Sequence, residues 1–224
     1  MSFNFDHVFI CTSIGAAEGA GLLANFGLTE GLPNTHPGQG TACRRFFFSN
    51  AYIELLWVEN PAEAQSTSTK PTRLWERWKG RARDACPFGF GFRPGGENTG
   101  NPPFRSWEYR PAFLPAPLAL QVAANSSTIT EPMLFFLPFA QRKDRSSDPR
   151  QALPGRPAGL RNITRLELTI PQVEELSPEM LSLIALAVLQ VRGGSEYLLE
   201  LGFDGESLDQ KADFRPALPL VFRW

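Results

Sequence analysis

The chain has 224 residues, a formal net charge of −1, 42% hydrophobic and 20% charged residues, an ordinary globular composition long enough for one substantial core or two small ones. That balance gives no global field for nucleic acid, a membrane surface or a strongly charged partner, and no run approaches the roughly 20 apolar residues that a bilayer requires. Asp6 and His7 interrupt the first apolar stretch, which argues against a signal peptide. Cys11, Cys43 and Cys86 cannot all pair internally and form no CxxC spacing, so a reducing, cytoplasmic compartment is expected.

Phe3 to Thr12 reads as a first strand whose alternating sets are both largely apolar, as for a strand covered on two faces. Ile14 to Phe26 reads as a helix, with Ser13 as N-cap and Gly27 as its stop. Its three internal glycines cost roughly 1 kcal/mol each relative to alanine, so this helix has to pack on a sheet. Gly31 to Gly40 is a loop by composition, followed by strands over Thr41 to Ser49 and Ala51 to Glu59 with a tight turn at Ser49-Asn50. Lys70 to Lys79 reads as a short helix bearing tryptophans, and Pro87 to Arg93 as a strand whose glycines mark close backbone approach. A loop over Pro94 to Pro103 precedes strands near Ser106 to Arg110, Leu118 to Ala124 and Met133 to Phe139. Residues 142–157 are polar and proline-punctuated, the best linker in the chain. Beyond them come a strand over Asn162 to Ile170, a helix over Pro178 to Val191, a strand over Glu196 to Phe203 and a last strand around Leu218 to Phe222. The helix from Pro178 to Val191 is apolar most of the way round, which suits a sheet on one side and a homodimer contact on the other.

This order is an α+β layout with a repeated unit. The strands carrying His7 and Phe88 lie 88 − 7 = 81 residues apart, and those carrying Glu54 and Phe135 lie 135 − 54 = 81 apart. One globular domain is therefore expected, made of a first module over 1–85, a helix-poor second module over 86–141, the linker, and a partial third module over 158–224.

The segments FDHVFICT, FGLTEG, HPGQGT, ACRRFFFS and AYIELLWV, and later ACPFGF, resemble the glyoxalase-like domains of the vicinal oxygen chelate (glyoxalase/bleomycin resistance/dioxygenase) superfamily. The resemblance is strongest over the first 60 residues, extends to Phe139, and from Gly159 onward rests on element order. It implies repeated βαβββ modules whose curved sheets close around a pocket. In characterised members that pocket commonly holds a divalent metal, and the chemistry includes isomerases, epimerases, extradiol dioxygenases and antibiotic-sequestering proteins.

Metal ligands in the superfamily sit on the first and last strands of each module, where His7 and Glu54 match, a pair suited to Zn, Fe, Mn or Ni. The 81-residue offset places Phe88 and Phe135 at the matching positions of the second module, and neither can ligate. A catalytic zinc normally takes three protein ligands, and the second of the two histidines, His36, lies in a loop. The set is incomplete, so no tightly bound cofactor is expected, at most a weak divalent ion such as magnesium. His36 would complete a triad if its loop folded over the cavity mouth.

Each of these residues also has a plainer explanation. His7, beside Asp6, reads equally as a satisfied structural histidine. A carboxylate buried in YIELLWV is costly unless paired, so Glu54 is either an ion-pair partner of Arg44 or Arg45, or a general base or metal ligand. Strand parity groups Thr41, Cys43, Arg45 and Phe47 on one face. An interior Arg45 would suit an anionic or carbonyl ligand, and which of the two arginines faces the pocket stays open. The pocket is expected to be lined by Thr41, Cys43, Arg45 and Tyr52, with an apolar wall of Phe88, Phe90 and Phe135. The basic run from Lys70 to Arg83 reads as a solvated helix face with Trp75 and Trp78 buried, so no nucleic-acid partner is expected.

Two functions fit. One is a lyase or isomerase acting on a small carbonyl-containing molecule, with Glu54 catalytic and His7 beside it. The other is a non-catalytic module that sequesters an apolar small molecule in a Phe-lined pocket with a degenerate metal site.

Overall fold

The computed structural model describes residues 3–96, 100–141 and 160–224; the linker expected over 142–157 lies outside the described residues. The first sheet is built from β1 (Phe3–Cys11), β2 (Asn34–His36), β3 (Thr41–Phe47), β4 (Tyr52–Val58), β5 (Phe88–Pro94), β6 (Ser106–Tyr109), β7 (Leu120–Ala123) and β8 (Met133–Phe136). Their order is β2-β3-β4-β1-β5-β8-β7-β6. The centre of the sheet is the antiparallel pair β1 and β5, and each has a parallel neighbour on its outer side, β4 and β8 respectively. Three helices accompany this sheet: α1 (Ala17–Asn25), α2 (Pro61–Ala64) and α3 (Leu74–Gly80). The second sheet holds β9 (Ile163–Ile170), β10 (Gln190–Gly193), β11 (Leu198–Phe203), β12 (Lys211–Asp213) and β13 (Leu220–Arg223) in the order β10-β9-β11-β13-β12, with α4 (Pro178–Ala185) between β9 and β10.

The outcome is a mixed α/β chain of two sheets and few helices, consistent with the layout that the resemblance implies. Strand, helix and three strands do follow one another from β1 to β4. Among the described residues no α-helix joins β5 to β6, and β9 pairs directly with β10 where β1 pairs with β4, so the pairing of the first unit does not recur unchanged in the later ones. Among the described residues no helix is long and apolar enough to cross a membrane.

β1 is buried on both faces because each face serves a different core. Val8 and Ile10 join Ile53, Leu55 and Phe88 in a core that continues into Leu201, Phe203 and Phe222 of the second sheet. Phe9 and Cys11 face the other way, with Cys43, Leu56, Met133 and Phe135. The glycine-rich α1 packs as expected: a Cβ on Gly19 would stand 2.7 Å from Leu218 Cδ2, so the glycine lets the helix backbone approach the second sheet closely.

Three expectations need correction. The loop over Gly31 to Gly40 contains β2, which pairs antiparallel with β3 through Asn34↔Cys43 and His36↔Thr41; three polar residues are too few to show a period-two pattern. The helix begun at Pro178 stops at Ala185. Ala187 takes a left-handed φ of 54° and the Val188 N–H bonds back to Leu183, after which the apolar run becomes β10 on the edge of β9; Leu181 and Leu186 stay exposed. The basic run near α3 is not wholly solvated either. Arg77 is fully buried, and its guanidinium donates to the carbonyl oxygens of Ile129 at 3.0 Å and of Glu131, while Trp75 and Trp78 are half-buried.

Candidate functional site

Strand parity decides what reaches the inner face of the first sheet. His7 lies opposite Gly91, and Phe9 opposite Gly89, while Phe88, Phe90 and Phe92 alternate to the other face and enter the core between the sheets. The apolar wall expected from Phe88 and Phe90 is therefore corrected: both point away from His7. The glycines of this strand are the close approaches. A Cβ on Gly91 would stand 2.8 Å from the His7 ring, and one on Gly89 would stand 2.1 Å from the Phe9 ring. The 81-residue offset fails for the same reason, since it maps an inward His7 onto an outward Phe88, whereas Phe135 does face inward.

The inner face lines a half-open cavity of about 160 Å³ with one polar and one apolar end. The polar end is made by His7, Asn34, His36, Gln39, Arg45, Tyr52 and Glu54. The apolar end is made by Phe9 and Leu56, by Met133, Phe135, Leu137 and Phe139 around β8, by Tyr109 of β6, and by Phe113 and Leu114 from the loop that follows it. Of the residues expected from sequence, His7, Glu54, Arg45, Tyr52 and Phe135 line this space. Thr41 and Cys43 share the face but stand behind it: Thr41 bonds to His36, and Cys43 is packed in the apolar cluster.

His7 is held on three sides. Its Nδ1 lies 2.7 Å from Asp6 Oδ2, its ring stacks on Tyr52 with centroids 4.4 Å apart, and its Nε2 lies 4.0 Å from Glu54 Oε2. Asp6 is itself fully buried and sits 3.6 Å from Arg93. With Nδ1–H donated to Asp6, Nε2 offers its lone pair to the cavity. Burial pushes the Tyr52 phenol well above its usual range, with the nearby charge of Glu54 adding to the effect.

The plain explanation for Glu54 meets no support in the geometry. Arg44 turns to the other face and grips Glu30 through Nε at 2.7 Å and Nη2 at 2.5 Å. Arg45 is the cross-strand neighbour of Glu54, yet its Nη2 donates to Leu32 O at 3.0 Å and its guanidinium lies over the Phe47 ring at 5.4 Å. Among the described residues no ion pair joins Arg45 to Glu54, and Arg45 Nε has no hydrogen-bond partner.

His36 is the site residue that sequence reasoning placed in a loop. β2 buries it against the cavity, where Nδ1 stands 2.9 Å from Thr41 Oγ1 and Nε2 stands 2.9 Å from Asn34 Nδ2. Phe113 covers it at 4.7 Å between centroids. Burial lowers its pKa below the ordinary histidine value; the charges of Arg45 and His7 act the same way and Glu54 opposes them. His36, Cys43 and Glu54 bring ligand-type atoms within 4.8 Å of one another. The register of β2 on β3 is the signal that would have found this cluster. Phe113 and Leu114, in a proline-rich loop, carried none.

Residues 5–86 match the family model described as a glyoxalase-like domain. Comparison with curated proteins gives no match. A hypothetical protein from Staphylococcus aureus, known from a crystal structure, is similar over 99% of each chain at 11% identity with a TM-score of 0.54, a likeness that shows the fold alone. The hypothetical protein BH1468 from Bacillus halodurans C-125 aligns with 61% of this chain and 94% of its own, at 12% identity and a TM-score of 0.37, which is too low to support any argument.

Proposed function

We propose that this chain, whose residues 5–86 carry a glyoxalase-like domain, is an enzyme that moves a proton beside a carbonyl group. It would be a lyase or isomerase acting on a small carbonyl compound. The observation that carries this reading is the row Asp6–His7–Glu54, with spacings of 2.7 and 4.0 Å, at the polar end of the cavity. Asp6 fixes the ring and its tautomer, so Nε2 and the Glu54 carboxylate offer two neighbouring proton acceptors to one bound molecule. Glu54 is the general base that removes the proton next to the carbonyl, and the C–H electron pair moves onto the carbonyl oxygen. As the pair flows back from that oxygen the proton returns to the same carbon, which is exchange with solvent. In a hydroxyketone the neighbouring hydroxyl passes its proton to the oxyanion, its own electron pair forms the new carbonyl, and Glu54 or His7 delivers the proton to the former carbonyl carbon.

The test is exchange of solvent deuterium into the carbon beside the carbonyl, followed by NMR over a panel of short 2-oxo acids and hydroxyketones. Exchange by the wild-type protein is expected, with a loss of about 10²–10⁴-fold in Glu54→Gln and in His7→Ala, and no loss after chelation. Absence of exchange across the panel, or rates indifferent to both substitutions, would sink the reading.

The metal that the superfamily commonly holds does not fit tightly here, in our reading. The positions of β5 and β8 that face His7 and Glu54 are Gly89, Gly91, Met133 and Phe135. Of the His36, Cys43 and Glu54 cluster, His36 has both ring nitrogens engaged, burial holds the Cys43 thiol far above its usual range, and the Arg45 guanidinium is the cross-strand neighbour of Glu54. A weak divalent ion held at Glu54 through water is the most that these donors support. No proton-transfer step above passes through it.

A sequestering module is the second reading, favoured by one observation: the wall of Phe9, Leu120, Met133, Phe135, Leu137 and Phe139 offers a ligand no charged or amide side chain. Binding without exchange would select it. In the same reading, free and buried Cys11, Cys43 and Cys86 fit a reducing cytoplasm, and a homodimer through α4 would rest on the exposed Leu181 and Leu186.

A further inference from the structure

We propose that the cavity takes a small monocarboxylate bearing one apolar group about the size of a single ring, with the carboxylate seated on Arg45. The inference rests on the cavity being the substrate site and adds the class of molecule that enters it.

The first support is Arg45 itself. The residue is 7% exposed, and an arginine cannot shed its charge on burial. Burying a cation is costly unless an acceptor pairs with it. Of its five N–H donors, the described residues engage Nη2 through Leu32 O at 3.0 Å and leave Nε without an acceptor. Phe47 lies over one face of the guanidinium and Nε is itself shut off from solvent, so a ligand in the cavity that Arg45 lines meets the terminal Nη1–Nη2 edge. A carboxylate presents two oxygens in the geometry of that edge.

The second support is charge. Glu54 lies directly across the strand from Arg45 without pairing to it. One negative charge on a ligand balances the guanidinium, whereas a second, as on a phosphate dianion, would meet the Glu54 carboxylate. The third is size and lining. A cavity of about 160 Å³ is close to the ~150 Å³ that accommodates benzene in an apolar core. Its far end is formed by Phe9, Met133, Phe135 and Phe139. A ring or branched chain of similar size fills it.

Benzoate and its neutral isostere benzamide separate the charge from the ring. Calorimetric titration of the wild-type protein is expected to show benzoate binding about tenfold or more tighter than benzamide. In Arg45→Gln that preference should vanish while benzamide affinity stays within about twofold, with a thermal melt to show that the variant is folded. The wild-type comparison decides by itself if the variant does not fold. Equal or tighter binding of benzamide, binding of neither probe, or a preference that survives Arg45→Gln overturns the proposal. Deuterium exchange into a neutral hydroxyketone is measured alongside. If it proceeds while benzoate does not bind, the acid assignment has failed and the proton-transfer reading stands.

Discussion

His36 shows how one side chain ties the pocket to the pH dependence of stability. It is held neutral chiefly by burial, between an Asn34 amide that donates to Nε2 and a Thr41 hydroxyl that accepts from Nδ1. A histidine whose folded pKa is depressed below the unfolded value of 6.5 contributes stability that is present above that value. The contribution is lost as pH falls from there through the folded pKa, because the unfolded chain takes up the proton first. The wild-type protein should therefore lose stability on acidification from pH 7 to 5 more steeply than His36→Gln, by up to ~1.4 kcal/mol per pH unit. Urea midpoints at several pH values would check this, and parallel slopes would refute it. At this same scale, a costly carboxylate within YIELLWV and an arginine pair one strand away were legible in the sequence. Which arginine turned inward, and whether it paired with Glu54, was not. Arg44 is taken by Glu30, fourteen residues earlier and bridged to Phe46, and such partners depend on how separate segments dock.

At the scale of elements, strands were legible and the direction of their faces was less so. The run Phe88-Gly89-Phe90-Gly91-Phe92 states that three phenylalanines share one face and two glycines the other, but a slip of one residue inverts the assignment. Only the pairing with β1, Val8↔Phe90 and Phe9↔Gly89, sends the phenylalanines into the core. The two sets should respond differently to truncation. Phe90→Ala removes a fully buried ring and should cost about 3–5 kcal/mol, with Phe90→Leu as the milder change that keeps benzoate affinity near wild type. Phe135→Ala opens the cavity wall, so it should weaken benzoate binding several-fold at a smaller cost in stability. Denaturant unfolding and calorimetry on the three variants would show it. Weakened binding in Phe90→Leu without a change in Phe135→Ala would mean that the faces are exchanged.

For the whole molecule, the cavity depends on a second sheet that supplies none of its lining. Phe203 and Phe222 pack against Phe48 at 4.8 and 6.3 Å between centroids, covering the outer face of the sheet whose inner face carries the site. The family match ends at residue 86, and the C-terminal strand, helix and strand order was legible without revealing where it docks, because the contacts join residues far apart in the chain. Asn50 is the plainest case. It reads in the sequence as a turn residue between two strands, and its turn does join β3 to β4. Its amide also bridges 113 residues, donating from Nδ2 to Ile163 O at 2.8 Å and accepting at Oδ1 from Ile163 N at 2.9 Å. That double bond pattern copies a sheet ladder and pins the start of β9 to the first sheet. Asn50→Ala leaves both backbone groups of Ile163, a buried residue, short of a partner, and the penalty for an unmet buried donor or acceptor is about 1–3 kcal/mol. The substitution removes no cavity-lining atom, since Asn50 lies on the far side of the sheet. The expected outcome is a destabilisation of about 1–3 kcal/mol with benzoate affinity and deuterium exchange close to wild type. Chemical denaturation, calorimetry and NMR on the one variant measure all three. Loss of ligand binding at full stability would mean instead that the two sheets communicate with the site, and that the second sheet does more than brace the first.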